Sequence, residues 1–269
     1  METQNRSIIS AGLKSLSSYL HKINRSEVNY IKLSEGSAGK LHGLKESIKS
    51  RFKTEEINAP ASTKIEFIEN IKSKVSQSKE IRNLGTLREK LVFSSGSPKA
   101  KIMFIGEAPG QEEELQGKPF VGPSGQLLTK IINAMGLNRD DVYISNIVKF
   151  RPKIEGGNQG AANRKPNNDE MRISLPFILE EIEAIKPIVV VALGGTAMQG
   201  LLNMNETISS ARGKLHEIQG AKVVVSYHPS FLLRSKTPNK DKRKVWEDML
   251  LVMNLLGMQI TEKQKNYFK

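Results

Sequence analysis

The sequence contains no cysteine. Disulfides, thiolate metal sites and a catalytic cysteine are therefore all excluded. Histidine is scarce as well: four among 269 residues, which argues against a histidine-rich metal site.

Long apolar runs are also missing, although 38% of the residues are hydrophobic. No stretch is long enough to span a membrane. Residues 1–20 have neither a continuous apolar core nor a clear cleavage site, so we predict no signal peptide. The expected location is intracellular, either cytoplasmic or associated with the nucleoid.

Acidic residues are outnumbered, with 28 Asp and Glu against 41 Lys and Arg and a formal net charge of +13. A positive field of this size attracts polyanions, nucleic acid first. The alternative is a lysine-rich surface that serves solubility. Charge therefore suggests DNA or RNA without deciding the matter.

Residues 1–85 differ in composition from the rest and form a predicted basic N-terminal extension. Apolar residues recur at helical spacing near its start and again at 65–75, and a segment rich in Ser, Gly, Lys and Glu lies between them. We predict two or three amphipathic helices joined by a flexible linker that ends near Pro60. A partly disordered tail is the other interpretation.

Residues 86–269 show an alternating α/β pattern. Apolar runs of strand length lie at 102–105, 142–148, 188–193 and 222–227. Between and after them, helices are predicted near 125–135, from 169 to Pro187, at 194–202 and at 244–256. We predict a three-layer α/β/α domain around a central, mostly parallel four-stranded sheet. The loops after its strands, at Gly106, Asn146, Gly194 and His228, gather at one edge.

The stretch 101–125, KIMFIGEAPGQEEELQGKPFVGPSG, runs from a predicted buried strand into a loop rich in Gly and Pro. Open α/β sheets bind ligands at such loops, outside the carboxyl ends of the strands. The loop carries a carboxylate, Glu107, and an aromatic ring, Phe120. A charged group and a flat apolar face together suit a planar ring.

Five motifs in series carry a resemblance to a known family: GEAPG, KPFVGPSGQLL, YISNIVKFRP, VVALGGTA and YHPSFLLR. In this order and at this spacing they resemble a family 4 uracil-DNA glycosylase over about residues 84–256. The resemblance implies a repair enzyme that flips uracil out of DNA and hydrolyses its N-glycosidic bond, leaving an abasic site. It also implies uracil-containing DNA as the partner. For this chain we further predict a monomer that needs no metal and no organic cofactor.

The chain departs from this family at the four cysteines that usually hold a 4Fe–4S cluster. The corresponding positions are Phe150, Ser174 and, by a looser alignment, Lys79 and Arg82. Because none of them supplies a thiolate, we predict that the cluster is absent. Apolar packing at Phe150 is the expected replacement.

The resemblance assigns six residues to the site. Asn146 would read the uracil edge, because an amide donates and accepts together. Phe120 would stack on the base, and Gly106 and Ala108 would contact it through backbone. Glu107 would position water and offset charge on the sugar, and His228 would stabilise the departing base.

The motif after the last strand would contact DNA. Leu232 or Leu233 would wedge into the gap left by the base, and Ser230 and Arg234 would hold the backbone. Alternatively, the two leucines belong to the start of the next helix and do not contact DNA. Further candidates for phosphate contacts are Ser124, Lys149, Arg151 and the basic run 236–244. Glu112, Glu113 and Glu114 are interpreted as solvated and given no catalytic part.

Other functions stay open at this point. A non-catalytic DNA-binding member of the same fold, acting in a replication or repair assembly, would need the same loops. A glycosylase with altered base choice, or one that traps DNA covalently, is a further possibility, although no basic insert precedes the last motif. A phosphate-binding hydrolase would need a GK[ST] sequence, which GEAPG lacks.

Overall fold

The computed structural model describes residues 61–156 and 159–268. Helix α1, Ala61–Gln77, confirms the helix predicted from the apolar spacing at 65–75, with Ile71 and Val75 buried. Helix α2, Lys79–Asn83, begins after the capping hydroxyl of Ser78. The other predicted helices of the extension, and its linker, lie outside the described residues.

Helix α1 folds with the α/β domain, since both belong to one compact unit that begins at Pro60. The Nζ of Lys64 donates to the carbonyl of Ile185 at 2.8 Å, and Lys74 pairs with Glu180 at 2.7 Å. The segment after residue 60, predicted as part of the extension, is therefore integral to one face of the domain.

The central sheet has six strands in the order β2-β4-β3-β6-β8-β7. The strands are β2 Ser94–Gly96, β3 Ile102–Gly106, β4 Tyr143–Asn146, β6 Val189–Leu193, β7 Leu215–Ile218 and β8 Ala221–Ser226. The four inner strands are parallel, as predicted, and an antiparallel strand is added at each edge. Separately, β1 Leu87–Leu91 pairs with β5 Phe150–Pro152.

Helices cover both faces of the sheet, which confirms the three-layer architecture. The main ones are α4 Pro123–Ala134, α5 Asn168–Ile185, α6 Gly195–Leu202 and α9 Pro238–Leu255. Shorter helices are α3 Gln111–Gln116, α7 Ile208–Ala211, α8 Pro229–Leu233 and α10 Glu262–Lys265. One apolar cluster packs α1, α5 and α6 on the first face, and another packs α4 and α9 on the second.

Two helix starts show how local sequence sets the boundaries. Helix α5 begins at Asn168, capped by the side chain of Asn167, close to the predicted start at Asp169. Helix α9 begins at Pro238, earlier than the predicted 244, because proline at the first helical position is favourable and follows Thr237 directly. The first turns of α9 are polar, so the spacing of apolar residues did not predict where this helix begins.

The carboxyl ends of the inner strands lie side by side. Gly106 ends β3 and is paired with Asn146 at the end of β4. On the other side, the amide of Gly194 after β6 donates to the carbonyl of Ser226 at the end of β8, at 2.9 Å. All four predicted loops therefore meet at one edge of the sheet.

Candidate active site

The backbone of Gly106 lies between the side chains of Phe120 and Asn146. A Cβ at this position would come within 2.4 Å of the Asn146 Oδ1 and 2.5 Å of the Phe120 Cζ. Real Cβ atoms do not approach so closely, so only glycine fits here. The structure thus brings together three of the predicted site residues.

Phe120 has a left-handed backbone, with φ of 53°. This conformation costs a bulky residue on the order of 1–3 kcal/mol and persists only where the surroundings hold it. Gly125 in the first turn of α4 is part of that support, because a Cβ there would lie 1.9 Å from the Phe120 carbonyl oxygen. The backbone that carries the Phe120 ring is therefore held in place by its neighbours.

Glu113 joins the two loops of the 101–125 stretch, a role that the sequence did not reveal. Its carboxylate accepts hydrogen bonds from the amides of Gly110, Val121 and Gly122 at 2.9–3.1 Å. The interpretation of Glu113 as a solvated residue was wrong, because three backbone donors converge on it. It holds the segment that carries Phe120 against the segment that carries Glu107.

Asn146 is buried, with 2% of its surface exposed, yet no described residue hydrogen-bonds its side-chain amide. Asn146 lines a cavity, so the donor and the acceptor of its amide are available to a ligand there. Its main-chain oxygen accepts a hydrogen bond from the Lys149 Nζ at 2.7 Å. Buried amides seldom stay unpartnered, so this arrangement indicates a ligand-reading group.

Lys149 was predicted to contact phosphate, and that prediction was wrong. Its side chain has no exposed surface and forms an ion pair with the equally buried Glu181 of α5. The Nζ also donates to the Ser145 Oγ at 2.5 Å, and the other Glu181 oxygen accepts from Tyr143 at 3.0 Å. Burial favours the neutral forms, which lowers the pKa of Lys149 and raises the pKa of Glu181.

Arg151 was also predicted to contact phosphate, and it too is buried. It pairs with Glu114 at 3.1 Å, and Arg88 reaches the other oxygen of that carboxylate at 2.5 Å. Glu114 is consequently not the solvated residue expected from its position in an acidic run. Arg151 and Glu114 therefore stabilise the fold by pairing with each other.

Glu107 follows β3, and its Oε2 accepts a hydrogen bond from the Thr196 hydroxyl at 2.5 Å. Burial raises the pKa of Glu107, while the bond from Thr196 and the charge of Lys165 act in the opposite direction. Thr196 lies in the first turn of α6, where the helix dipole also favours a carboxylate. The sequence analysis did not predict a site role for Thr196, because the VVALGGTA motif indicated only the start of a helix.

His228 is held as a neutral imidazole. Its Nδ1 accepts from the Ser230 amide at 3.2 Å and lies 2.8 Å from the Ser230 hydroxyl, so the ring proton is on Nε2. Burial, assisted by the charge of Arg234, lowers the pKa of His228 to about 4. The ring centroid is 5.6 Å from that of Phe120. At neutral pH this residue is therefore a hydrogen-bond donor without a charge.

One cavity of about 950 Å³ collects these groups. The predicted residues that line it are Glu107, Ala108, Phe120, Asn146, Ser124, His228, Ser230 and Arg234. Residues not predicted for the site also line it, among them Asn163, Lys165, Thr196, Tyr227 and Phe231. A carboxylate, an amide, an imidazole and an aromatic ring thus face a single space.

The helix after His228 separates the two predicted wedge residues. Leu232 is 6% exposed and packs against Tyr227 and Val245, whereas Leu233 is 53% exposed. Only Leu233 has the exposure that a wedge requires. Phe231 also borders the cavity, with its ring stacked on that of Tyr227 at a centroid distance of 4.6 Å.

The positions that carry cluster-binding cysteines in the resembling family do not fit such a group here. Phe150 lies in the apolar cluster that also contains Ile81 and Leu87, and Ser174 is buried in α5. No thiolate exists in the chain, and across residues 61–156 and 159–268 no three His, Asp or Glu side chains form a metal site. Phe150 packs against apolar side chains, as expected, whereas Lys79 and Arg82 are exposed.

Comparisons with known proteins identify the family of the chain. The sequence profile described as the Uracil DNA glycosylase superfamily matches residues 93–250. A type-4 uracil-DNA glycosylase of Saccharolobus solfataricus is 41% identical over 177 residues, which are 61% of this chain and 78% of that protein. A type-4 enzyme of Thermotoga maritima is 40% identical over 164 residues, 60% of this chain and 81% of that protein. The chain therefore belongs to the uracil-DNA glycosylase superfamily.

Proposed function

We propose that this chain is a DNA-repair glycosylase that flips uracil out of DNA and hydrolyses its N-glycosidic bond, leaving an abasic site. The observation that carries the proposal is the neutral, Nε2-protonated His228 in the same cavity as the unpartnered amide of Asn146. The Nε2–H of His228 can donate to a base that leaves as an anion. The amide of Asn146 can pair with a base edge that has a donor next to an acceptor.

Base recognition rests on Phe120 and Asn146. The ring of Phe120 provides a stacking face, a contact worth about 1–3 kcal/mol per base. The Asn146 amide accepts from N3–H of uracil and donates to O4. Cytosine offers a bare N3 and an amino group at those places, so both hydrogen bonds fail and the buried amide is left unpaired.

Bond cleavage separates C1′ of the sugar from N1 of the base, and the bonding electrons leave with the base. The Nε2–H of His228 donates to O2 and stabilises the negative charge that develops there. A histidine with a pKa of about 4 does not transfer a proton at neutral pH, so it acts as a hydrogen-bond donor and uracil leaves as an anion.

The sugar left behind carries positive charge, which Glu107 stabilises. Its carboxylate is anchored by Thr196 at 2.5 Å and lies in the same cavity as His228. It also orients the water whose oxygen bonds to C1′ and accepts the proton that this water loses. No metal or organic cofactor takes part in these steps.

DNA binding uses the loop and helix that follow β8. The Ser230 hydroxyl and Arg234, which are 3.3 Å apart, border the cavity and bind the backbone of the flipped nucleotide. The exposed Leu233 fills the gap in the base stack. Every group comes from one chain, so a monomer suffices. Of the helices that the structure describes, none could cross a membrane.

The test is incubation of the full chain with a uracil-containing oligonucleotide, followed by alkali and gel separation. Strand scission at uracil, and none in a matched thymine oligonucleotide, is expected. Scission should be strongly slowed in a Glu107→Ala variant and unchanged in Glu183→Ala, the matched control on the exposed face of α5. Binding without scission would favour the non-catalytic DNA-binding alternative.

A further inference from the structure

The loop at residues 159–167, called the lip loop below, is fixed by side chains although it has no regular secondary structure. At its start, the guanidinium of Arg151 donates to the carbonyls of Gly160 and Ala162, both at 2.8 Å, and to the Asn163 Oδ1 at 3.0 Å. The amide of Gln159 donates to the carbonyl of Pro152 at 2.9 Å. A buried charge that donates to three groups of one loop holds it in a single conformation.

The end of the lip loop is fixed by Arg164. Its guanidinium binds both carboxylate oxygens of the fully buried Glu170, at 2.7 and 2.8 Å, and donates to the Thr86 carbonyl at 3.0 Å. Glu170 also accepts from the Asn167 amide at 2.8 Å, the residue that caps α5. Both ends are thus tied to the domain, while Asn163 and Lys165 remain exposed.

Three polar residues of the lip loop border the cavity: Asn163, Arg164 and Lys165. The guanidinium of Arg164 is already paired with Glu170, so Asn163 and Lys165 are the candidates for contacting a ligand. Lys165 is exposed, and no described residue forms a hydrogen bond or an ion pair with its ammonium group. Since Arg151 donates to the Oδ1 of Asn163, the NH₂ of that amide is the part left over, and it can only donate. The lip loop therefore presents a free cation and a fixed donor.

Lys165 and Arg234 act on different parts of the cavity. The charge of Lys165 acts to lower the pKa of Glu107, and the charge of Arg234 acts to lower the pKa of His228. The cavity is also far larger than one pyrimidine, which occupies only the part around Phe120 and Asn146. The remaining space, near the lip loop, suits sugar and phosphate.

We infer that the lip loop is a second backbone-binding element, in which Lys165 and the Asn163 amide hold a phosphate of the target strand on the Glu107 side of the flipped nucleotide. Arg234 holds the strand on the His228 side. The inference rests on the proposed glycosylase function. Such contacts carry no sequence information but fix the register of the strand, and a pre-fixed loop makes them without an ordering cost.

The salt dependence of DNA binding tests this directly. The probe is a duplex with one 2′-fluoro-2′-deoxyuridine, whose glycosidic bond resists cleavage, and affinity is measured by fluorescence anisotropy over a series of KCl concentrations. The slope of log K against log[salt] should become less steep by about 0.7–0.9 in Lys165→Met, the value of one phosphate contact. Lys165→Arg should keep the wild-type slope, and Asn163→Ala should weaken binding at unchanged slope.

Lys99→Met is the matched control, because Lys99 is exposed in the turn before β3, at the opposite end of the strands. The double variant Lys165→Met/Arg234→Met should lose about twice the single change in slope. A slope in Lys165→Met equal to that in Lys99→Met would overturn the inference, even if the pH profile of cleavage shifts. If the wild-type chain binds with the predicted slopes but leaves uracil intact, the lip loop stands and the glycosylase proposal fails.

Discussion

The Nζ of Lys149 donates a hydrogen bond to the main-chain oxygen of Asn146 at 2.7 Å. The residue proposed to read the base is thus held from behind by a buried ammonium group, which is itself paired with Glu181. Removal of one partner from a buried ion pair leaves an uncompensated charge, whereas removal of both is far less costly. The network therefore connects the stability of the domain to the position of Asn146.

Lys149→Met should lower the free energy of unfolding by about 3–5 kcal/mol, because Glu181 is left buried without a counter-charge. Lys149→Met/Glu181→Gln should recover most of that loss, since the amide still accepts from Tyr143 and Ser145. The double variant should nevertheless cleave uracil more slowly, because Asn146 loses its support. Urea denaturation and single-turnover cleavage measure the two effects. Equal destabilisation in the single and double variants would contradict the assigned pairing.

Asn146→Asp should shift base choice from uracil towards cytosine. A carboxylate accepts from the cytosine amino group but offers no donor to O4 of uracil. Burial favours the protonated acid, so the shift should grow with rising pH as the carboxylate ionises. Cleavage of matched oligonucleotides with uracil or mispaired cytosine measures it. Asn146→Ala is the control: it should lose uracil cleavage without gaining cytosine cleavage.

Glu107→Ala and His228→Ala should each reduce uracil excision by about 10²-fold or more, the typical effect of one group that stabilises transition-state charge. Single-turnover rates at saturating DNA measure this, and binding to uncleaved DNA should change much less. Glu112→Ala provides a neighbouring acid as control. Rates close to wild type in either variant would remove that residue from the proposed mechanism.

The position of the site could be predicted from sequence because it depends on strand ends. Glu107 and His228 follow apolar runs, Asn146 lies within one, and parallel strands bring their carboxyl ends to one edge. The roles of Lys149, Arg151 and Glu113 could not be predicted in this way. The charged partners of Lys149 and Arg151 come from distant segments that only packing brings close. The partners of Glu113 are backbone amides of nearby loops, whose positions depend on how those loops fold.

The edge strands were missed for a different reason. Strand β2 is three residues long, Ser94–Gly96, with little apolar or β-branched content. Strand β7, Leu215–Ile218, alternates between exposed and half-buried positions and lacks the continuous apolar character of the inner strands. Pairing with a neighbour, and not local propensity, creates both.

Ser174→Ala should raise the free energy of unfolding by about 1 kcal/mol. The hydroxyl of Ser174 is buried in α5 at a position where the resembling family has a cluster ligand, and no described group hydrogen-bonds it. Removal of an unsatisfied buried hydroxyl removes its desolvation cost. Ser73→Ala, on the exposed face of α1, controls for helix propensity and should gain less. A loss of stability measured in urea would show that Ser174 has a partner.

Thr196→Val should move the acid limb of the cleavage profile to higher pH. Burial raises the pKa of Glu107, and the hydrogen bond from Thr196 opposes that rise by stabilising the carboxylate. Without the bond, the pKa rises further, so the ionised form that catalysis needs appears only at higher pH. His228, with a pKa of about 4, is neutral across this range and does not create the limb. A plot of kcat/KM against pH reports these free-enzyme groups. Thr196→Ser keeps the hydroxyl and should keep the wild-type limb, whereas a limb in Thr196→Val at the wild-type pH would assign it to a group other than Glu107.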